Sequence, residues 1–436
     1  MNTKESNNRR SFIKHTAAIT GGILINPLAI NQSAYAAGSD VIKVGLVGCG
    51  GRGTGAAAQA LQAGPNIRLV AMADVFEAQI SKSYQNLLGI DEIKGQVEVP
   101  EENKFASFEG YKHVIEVSDV VILATPPAFR PEHFEESVRK DKHVFMEKPL
   151  ASDAPGLRKV LETGKVATEK NLKVVVGLQN RYDPGYQAMV EQIQSGTIGG
   201  LLSSTCYYMK GQYQVIPRSE VKTELEFQVK NYHFFNWLWA GGPAGLNIHN
   251  TDIVNWVKGS YPVQAQGMGG RAAISGPDTG DVFDNFYIEY TYADGVKLHS
   301  QVRVTNNVFN KNGAFFQGTK GTANLREGIK DLKGNKIWRY RDKENPNPYQ
   351  IEHDKLFEAI EKDLPLNDTE FGALSTMTAI MGRMAAHSGK LITWDEAFNS
   401  NRVLVPENLR GDSTAPILPD EHGIYPFPIP GQTVVL

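Results

Sequence analysis

The sequence predicts an α/β protein whose first half is built on an open parallel sheet, on three observations. A short β-branched strand runs straight into a glycine-rich turn. A second apolar strand ends in a carboxylate 21 residues past that turn, and strands then alternate with helical segments to about residue 184.

The first strand is "IKVGLVG", residues 42–48, and it leads into Gly48-x-Gly50-x-x-Gly53, with Gly51 and Arg52 inside the loop. The first glycine permits a tight turn, the second lets backbone approach a pyrophosphate, and the third lets the next helix pack closely on the sheet. That helix, "TGAAAQALQ", points free amide groups at the phosphates. The second strand, "IRLVAMAD", ends at Asp74, where a ribose-binding carboxylate belongs. The pattern is a Rossmann dinucleotide-binding fingerprint. An acid at position 74 repels a 2′-phosphate and so favours NAD. Arg52, near enough to offset that repulsion, keeps NADP as the alternative.

Three further strands follow. "DVVILAT" (Asp119 to Thr125) runs into Pro126-Pro127, "KHVFMEKPLA" contains Glu147-Lys148-Pro149, and "LKVVVGLQNRYDP" leads out of the domain. In an open parallel sheet ligands lie beyond the strands' carboxyl ends, so Thr125, Pro126, Lys148 and Gln179 to Tyr182 are expected around one crevice.

Bulk properties narrow the function classes. A chain of 436 residues has room for two domains, and a net charge of -3 with 41% hydrophobic residues gives no basic excess for nucleic acid. Two cysteines make no disulfide scaffold. No run reaches the ~18 apolar residues of a membrane span, and no metal site is expected. Residues 1–36 read as an export leader. Arg9-Arg10 with Ser11, Phe12 and Lys14 resembles the twin-arginine type, an apolar stretch follows, and Ala34-Tyr35-Ala36 supplies a small-residue cleavage site. The expected location is therefore periplasmic or secreted.

The glycine fingerprint, "ATPP", "MEKPLA" and "QNRYDPGY", in this order, resemble the glucose–fructose oxidoreductase/inositol dehydrogenase (Gfo/Idh/MocA) family. The resemblance runs from Ile42 to about Ser400 and implies four segments: the leader at 1–36, a Rossmann NAD(P) domain at 41–182, a second α/β domain with an open, mostly antiparallel sheet at 183–400, and an extended arm at 401–436 reaching for a neighbouring subunit. It further implies a carbohydrate substrate and assembly as a homo-oligomer, a dimer or tetramer. It places Lys148 between nicotinamide and substrate, where its ammonium stabilises the alkoxide of a hydroxyl being oxidised. Glu147 is expected to tune that lysine, and the bond before Pro149 is expected to be cis.

The second half fits such a sheet. "LLSSTCYYMKGQ" reads as a strand, and residues 281–305 read as two strands joined at Ala293-Asp294-Gly295. Helices are expected within 350–399. The chemically informative segment is Asn231 to Val257. The family pattern of an acid four residues before a histidine is half met, because His249-x-x-Asp252 is present but the acid position is Gly245. His249 is the expected general base, Asp252 a helix-packing or orienting partner, and Asn247 a steric substitute for the acid. Tyr232, Trp237, Asn247, His249, Arg181 and Tyr182 are expected to meet substrate, with His233, Trp239 and Arg130 as further candidates. These features predict an exported oxidoreductase with tightly bound NAD(P), oxidising a sugar hydroxyl and recycling on a second sugar. The alternatives are an NAD-dependent glycosidase working by transient C3 oxidation and elimination, and a non-catalytic sugar-binding protein.

Overall fold

A computed structural model describes residues 41–342, 344, 346–407 and 409–436, so the expected leader at 1–36 lies outside the described residues. The first sheet comprises β1 (Ile42–Val47), β2 (Ile67–Asp74), β3 (Lys104–Ala106), β4 (Val120–Leu123), β5 (His143–Met146) and β6 (Val174–Val176). All pairs are parallel, in the order β3-β2-β1-β4-β5-β6. β4 and β6 are buried at every position because helices cover both faces of the sheet. Their sequences are accordingly unbroken apolar runs rather than alternating ones. The order reverses between β1 and β4, and a crevice opens at the carboxyl ends beside that point.

The second sheet has nine strands: β7 (Leu201–Lys210), β8 (Gln264–Gly270), β9 (Asn285–Thr291), β10 (Lys297–Val304), β11 (Asn312–Gly318), β12 (Gly321–Asn324), β13 (Gly328–Asp331), β14 (Lys336–Trp338) and β15 (Ile392–Thr393). Their order is β14-β13-β12-β11-β7-β10-β9-β8-β15, antiparallel except for the β7–β10 pair. β9 and β10 form the expected hairpin, with Gly295 at φ +82 and its N–H donating to the Tyr292 carbonyl at 2.9 Å. Burial alternates strictly along β10. Leu298, Ser300, Val302 and Val304 face the interior while Lys297, His299, Gln301 and Arg303 face the open side.

The aromatic segment from Asn231 is a chain of short helical turns, Tyr232–Phe234, Asn236–Trp239 and Gly241–Gly245, before the longer helix Ile248–Lys258. Left-handed backbone at Ala240 and Gly241 breaks the path.

The seam expected at residues 182–183 is interleaved. The helix Pro348–Glu361 lies along the helix Gly51–Gln62, where Gln350 Nε2 donates to the Gln59 carbonyl at 2.9 Å. The helix Thr369–Ser388 lies along Ala154–Glu169. Helices from the second half therefore cover the first sheet, an arrangement no local signal in residues 41–182 announces. The arm at 401–436 makes contacts along its own chain. Asp153 accepts the Leu404 N–H at 2.8 Å, Tyr425 donates to Glu224 at 2.5 Å, and Gly431 N–H donates to the Ser388 carbonyl at 2.8 Å.

Arg181 and Asp252 tie the halves together. The guanidinium donates from Nε and one terminal nitrogen to the two carboxylate oxygens at 2.8 Å each, between the rings of Trp256 and Phe371. Removing one partner of such a pair strands a buried charge, so Arg181→Met is expected to cost about 3–5 kcal/mol. Chemical denaturation reads that loss, and unchanged stability would show that the pair does not hold the two halves together.

Candidate active site

The crevice between the sheets is a cavity of about 420 Å³. Gly48, Gly50, Gly51, Arg52, Gly53, Asp74, Thr125, Pro126, Glu147, Lys148, Tyr232 and His249 all line it. Two glycines are there by necessity. Gly48 sits at φ +95, and a Cβ at Gly53 would lie 1.9 Å from the Gly48 carbonyl oxygen. Around Gly50 and Gly51 a Cβ would meet nothing within 4 Å, and no side chain caps the helix that starts there. An uncapped helix N-terminus facing open space suits a pyrophosphate.

Asp74 anchors the other end of this cradle. Its carboxylate accepts the Cys49 N–H at 2.8 Å and the Phe76 N–H at 3.0 Å. Burial raises its pKa, and the backbone donors of Phe76, Cys49 and Val75 pull it partly back. Arg52 is not beside it. The guanidinium ion-pairs with Glu147 at 3.0 Å, donates to Gln59 at 2.5 Å and lies over the Tyr349 ring. The offset to Asp74's charge that the sequence suggested is thus absent.

Lys148 lines the crevice, immediately before the cis bond to Pro149. Its Nζ donates to the Gly245 carbonyl oxygen at 2.9 Å. Burial, opposed by Glu147 and assisted by Arg130 and Arg52, pushes its pKa down to about 8. Arg130, itself buried, donates to the carbonyls of Thr125 and Pro149 and so fixes the two turns that flank the lysine. Burial, followed by Lys148's charge, holds His249 well below the ordinary imidazole range, and its Nδ1 has no hydrogen-bond partner among the described residues. His249 is therefore a weaker base than the sequence suggested, and Lys148 is better matched to neutral pH.

Gly245 has a specific neighbour. A Cβ there would lie 2.2 Å from Trp239 Nε1, so the indole fills the space an acidic side chain would need. Nearby, His233 stacks on Tyr213 at 3.7 Å and lies 3.8 Å from the Tyr232 ring, with its pKa lowered to about 3 by burial, then Lys210 and Lys148.

Four expected substrate contacts lie elsewhere. Arg181 is held by Asp252, and Tyr182 donates to Asp368 at 2.6 Å, both on a separate cleft. Trp237 turns inward and donates from Nε1 to Gln228 at 2.8 Å. Asn247 is fully buried against the sheet, where its amide donates to Ser300 Oγ at 2.9 Å. Asp252 likewise faces Arg181 and Ser375 rather than His249. Tyr208 and Tyr213 reach the cavity without having been singled out. Strand alternation sends Tyr208 to the face opposite Tyr207, a signal present in "CYYMKGQY" once the buried face is known. Among the described residues no cluster of three or more His, Cys, Asp or Glu side chains is arranged to hold a metal, and no helix is long and apolar enough to cross a membrane.

Residues 42–178 match the family described as "Oxidoreductase family, NAD-binding Rossmann fold". The inositol 2-dehydrogenase of Rhizobium meliloti is 30% identical over 226 residues, 51% of this chain and 56% of that protein. A second inositol 2-dehydrogenase, from Rubrobacter xylanophilus, is 34% identical with 42% of its length matched, so the chain spans about half the length of these curated relatives. The α-N-acetylgalactosaminidase of Shewanella oneidensis is 21% identical over 357 residues, covering 78% of this chain and 70% of that one. Beyond residues 42–178 the fold itself is shared with solved structures. Aldose-aldose oxidoreductase from Caulobacter crescentus superposes with a TM-score of 0.63 at 17% identity, over 81% of this chain and 99% of that one. Scyllo-inositol dehydrogenase from Lactobacillus casei, solved with NAD(H) and scyllo-inositol, gives 0.60 at 17%, over 81% of this chain and 99% of that one.

The Trp239–Gly245 contact makes a sharp test. Gly245→Asp is expected to cost about 1–3 kcal/mol through overpacking, seen as a lower unfolding temperature. Adding Trp239→Ala is expected to recover most of it. Equal stability of Gly245→Asp and wild type would show that the indole yields freely.

Proposed function

We propose that the chain is an NAD-containing carbohydrate oxidoreductase that removes a hydride and a proton from a sugar hydroxyl. The observation that carries this reading is Lys148, an amine with a pKa near 8, held by a backbone carbonyl in the same crevice as an open phosphate cradle and an Asp74 carboxylate. The cradle and Asp74 fit NAD, and with Arg52 committed to Glu147 and Gln59 they favour it over NADP. Bound NAD supplies the hydride acceptor. Lys148 as the neutral amine takes the hydroxyl proton, and as the ammonium it stabilises the alkoxide in the reverse direction. His249, neutral at pH 7, accepts a hydrogen bond from the substrate and orients it. Tyr232, Tyr213 and Trp239 offer ring faces to the sugar's C–H faces.

Export through the twin-arginine-type leader, a resident nucleotide and its recycling on a second sugar belong to this proposal, as does assembly into a dimer or tetramer. A protein in a compartment without soluble NAD keeps its cofactor and returns the hydride to another sugar. The long match to an α-N-acetylgalactosaminidase favours one second reading, in which hydride taken from C3 is returned to it after loss of the C2 proton, departure of the glycosidic group from C1 and addition of water there. Release of free sugar with no net change in nicotinamide absorbance identifies that outcome.

Mass spectrometry of the supernatant from denatured, dialysed protein is expected to show NAD(H) near one per chain, and an empty supernatant would remove the resident-cofactor claim. Sugar oxidation requires the amine form of Lys148, so kcat/KM is expected to rise with pH through about 8, while reduction falls over the same interval. Lys148→Met is expected to lose about 10²–10⁴ in kcat and the pH step with it. Unchanged turnover in that variant would remove Lys148 from the chemistry.

A further inference from the structure

A second cavity, of about 260 Å³, adjoins the first. Gln179, Tyr208, His249 and Tyr349 line both, so the two spaces meet across a shared wall. Two polar atoms of that wall, Gln179 Oε1 and His249 Nδ1, are buried without a hydrogen-bond partner among the described residues. A buried acceptor left unpaired costs about 1–3 kcal/mol, and a ligand hydroxyl offsets that cost. The residues that line only the second cavity include Phe315, Asn312 and Arg326, which offer a ring, an amide and a guanidinium. Asn312 is already oriented, since its Oδ1 accepts from Asn250 Nδ2 at 2.8 Å.

Ring faces interleaved with amide and guanidinium donors are the chemistry that recognises a sugar, whose C–H faces stack on aromatics and whose hydroxyls need polar partners. The volume falls just under the range of about 300–1,000 Å³ for drug-sized ligands, a size for one ring rather than for an extended chain. Lys148 lines the first cavity with His249 and Tyr208, and His249 and Tyr208 also line the second, so the second cavity is the immediate neighbour of a ring bound beside Lys148.

We propose that this second cavity is a subsite for the neighbouring sugar of a glycoside, so that the preferred substrate has at least two linked rings. The inference rests on the carbohydrate-oxidoreductase reading for what happens in the first cavity, but the binding it describes is separable from turnover. Because Asn312 begins β11 at an exposed position, Asn312→Trp fills the second cavity from its rim without entering the sheet's interior. Arg326→Ala removes a donor without adding bulk.

The test is titration calorimetry on the full chain with added NAD, using glucose, galactose and N-acetylgalactosamine against disaccharides that carry each at the non-reducing end. At least one disaccharide is expected to bind about tenfold or more tightly than its monosaccharide. That ratio is expected to fall to near one in Asn312→Trp and to drop severalfold in Arg326→Ala, with monosaccharide affinity unchanged in both. A ratio near one in the wild type overturns the proposal, as does a ratio that neither variant alters. Nicotinamide absorbance, followed in parallel, separates the two claims. Disaccharide binding that depends on Asn312 and Arg326 but yields no hydride transfer supports the subsite and removes the oxidoreductase reading alone.

Discussion

Arg130, fully enclosed, donates to the carbonyls of Thr125 and Pro149 and so ties the turn after β4 to the turn after β5. Those turns carry Pro126 on one side and Lys148 on the other, and both line the reaction crevice. A guanidinium suits this place because its planar fork reaches two carbonyls at fixed angles, which an ammonium cannot do. Burial pushes even this group down to about 10, with Glu147 opposing the shift. The position of Lys148 relative to the glycine loop thus depends on one cation that never touches solvent.

The same cation shapes the chemistry. Arg52, Arg130 and Lys148 gather around the single carboxylate of Glu147, and each additional positive charge makes it harder for Lys148 to hold its proton. Desolvation acts in the same direction and is the larger effect. The imidazoles respond alike, since burial lowers His249, His233 and His133, and each has a neighbouring cation that lowers it further. The crevice therefore presents neutral rings and one amine close to its titration point. Gly177 keeps Glu147 in place, as a Cβ there would lie 2.9 Å from Glu147 Oε2.

What the sequence disclosed and what it withheld divide along the range of the forces involved. The strand, the Gly48–Gly53 turn and Asp74 were legible because backbone sterics and a fixed βαβ spacing decide them within about 30 residues. The C-terminal helices were legible as helices, but their docking on the first sheet depends on contacts such as Gln350 with Gln59, 291 positions apart. Arg181 and Tyr182 were expected at the crevice from the family pattern, Trp237 from the aromatic richness of its segment and Asn247 as a stand-in for the missing acid, none of which fixes where a side chain points. Side chains two positions apart on a helix point to different faces, and even three apart they are rotated by about 60°. Asn247 lies two residues before His249 and faces the sheet, and Asp252 three residues after it faces Arg181.

Gly245 shows why a departure from a pattern needs its neighbours before it has a meaning. Read alone, glycine in place of an acid removes a proton acceptor and suggests lost function. In the fold, the vacated volume belongs to Trp239, and the backbone carbonyl of Gly245 itself holds Lys148 at 2.9 Å. A carboxylate at that point would raise the lysine's pKa by its charge, whereas a neutral carbonyl orients the amine and leaves its depressed pKa intact. Glycine at 245 therefore leaves Lys148, with its pKa lowered to about 8, as the titratable group beside that carbonyl, with an aromatic wall in the volume an acid would take. The loss of one titratable group and the low pKa of another are two consequences of a single packing choice.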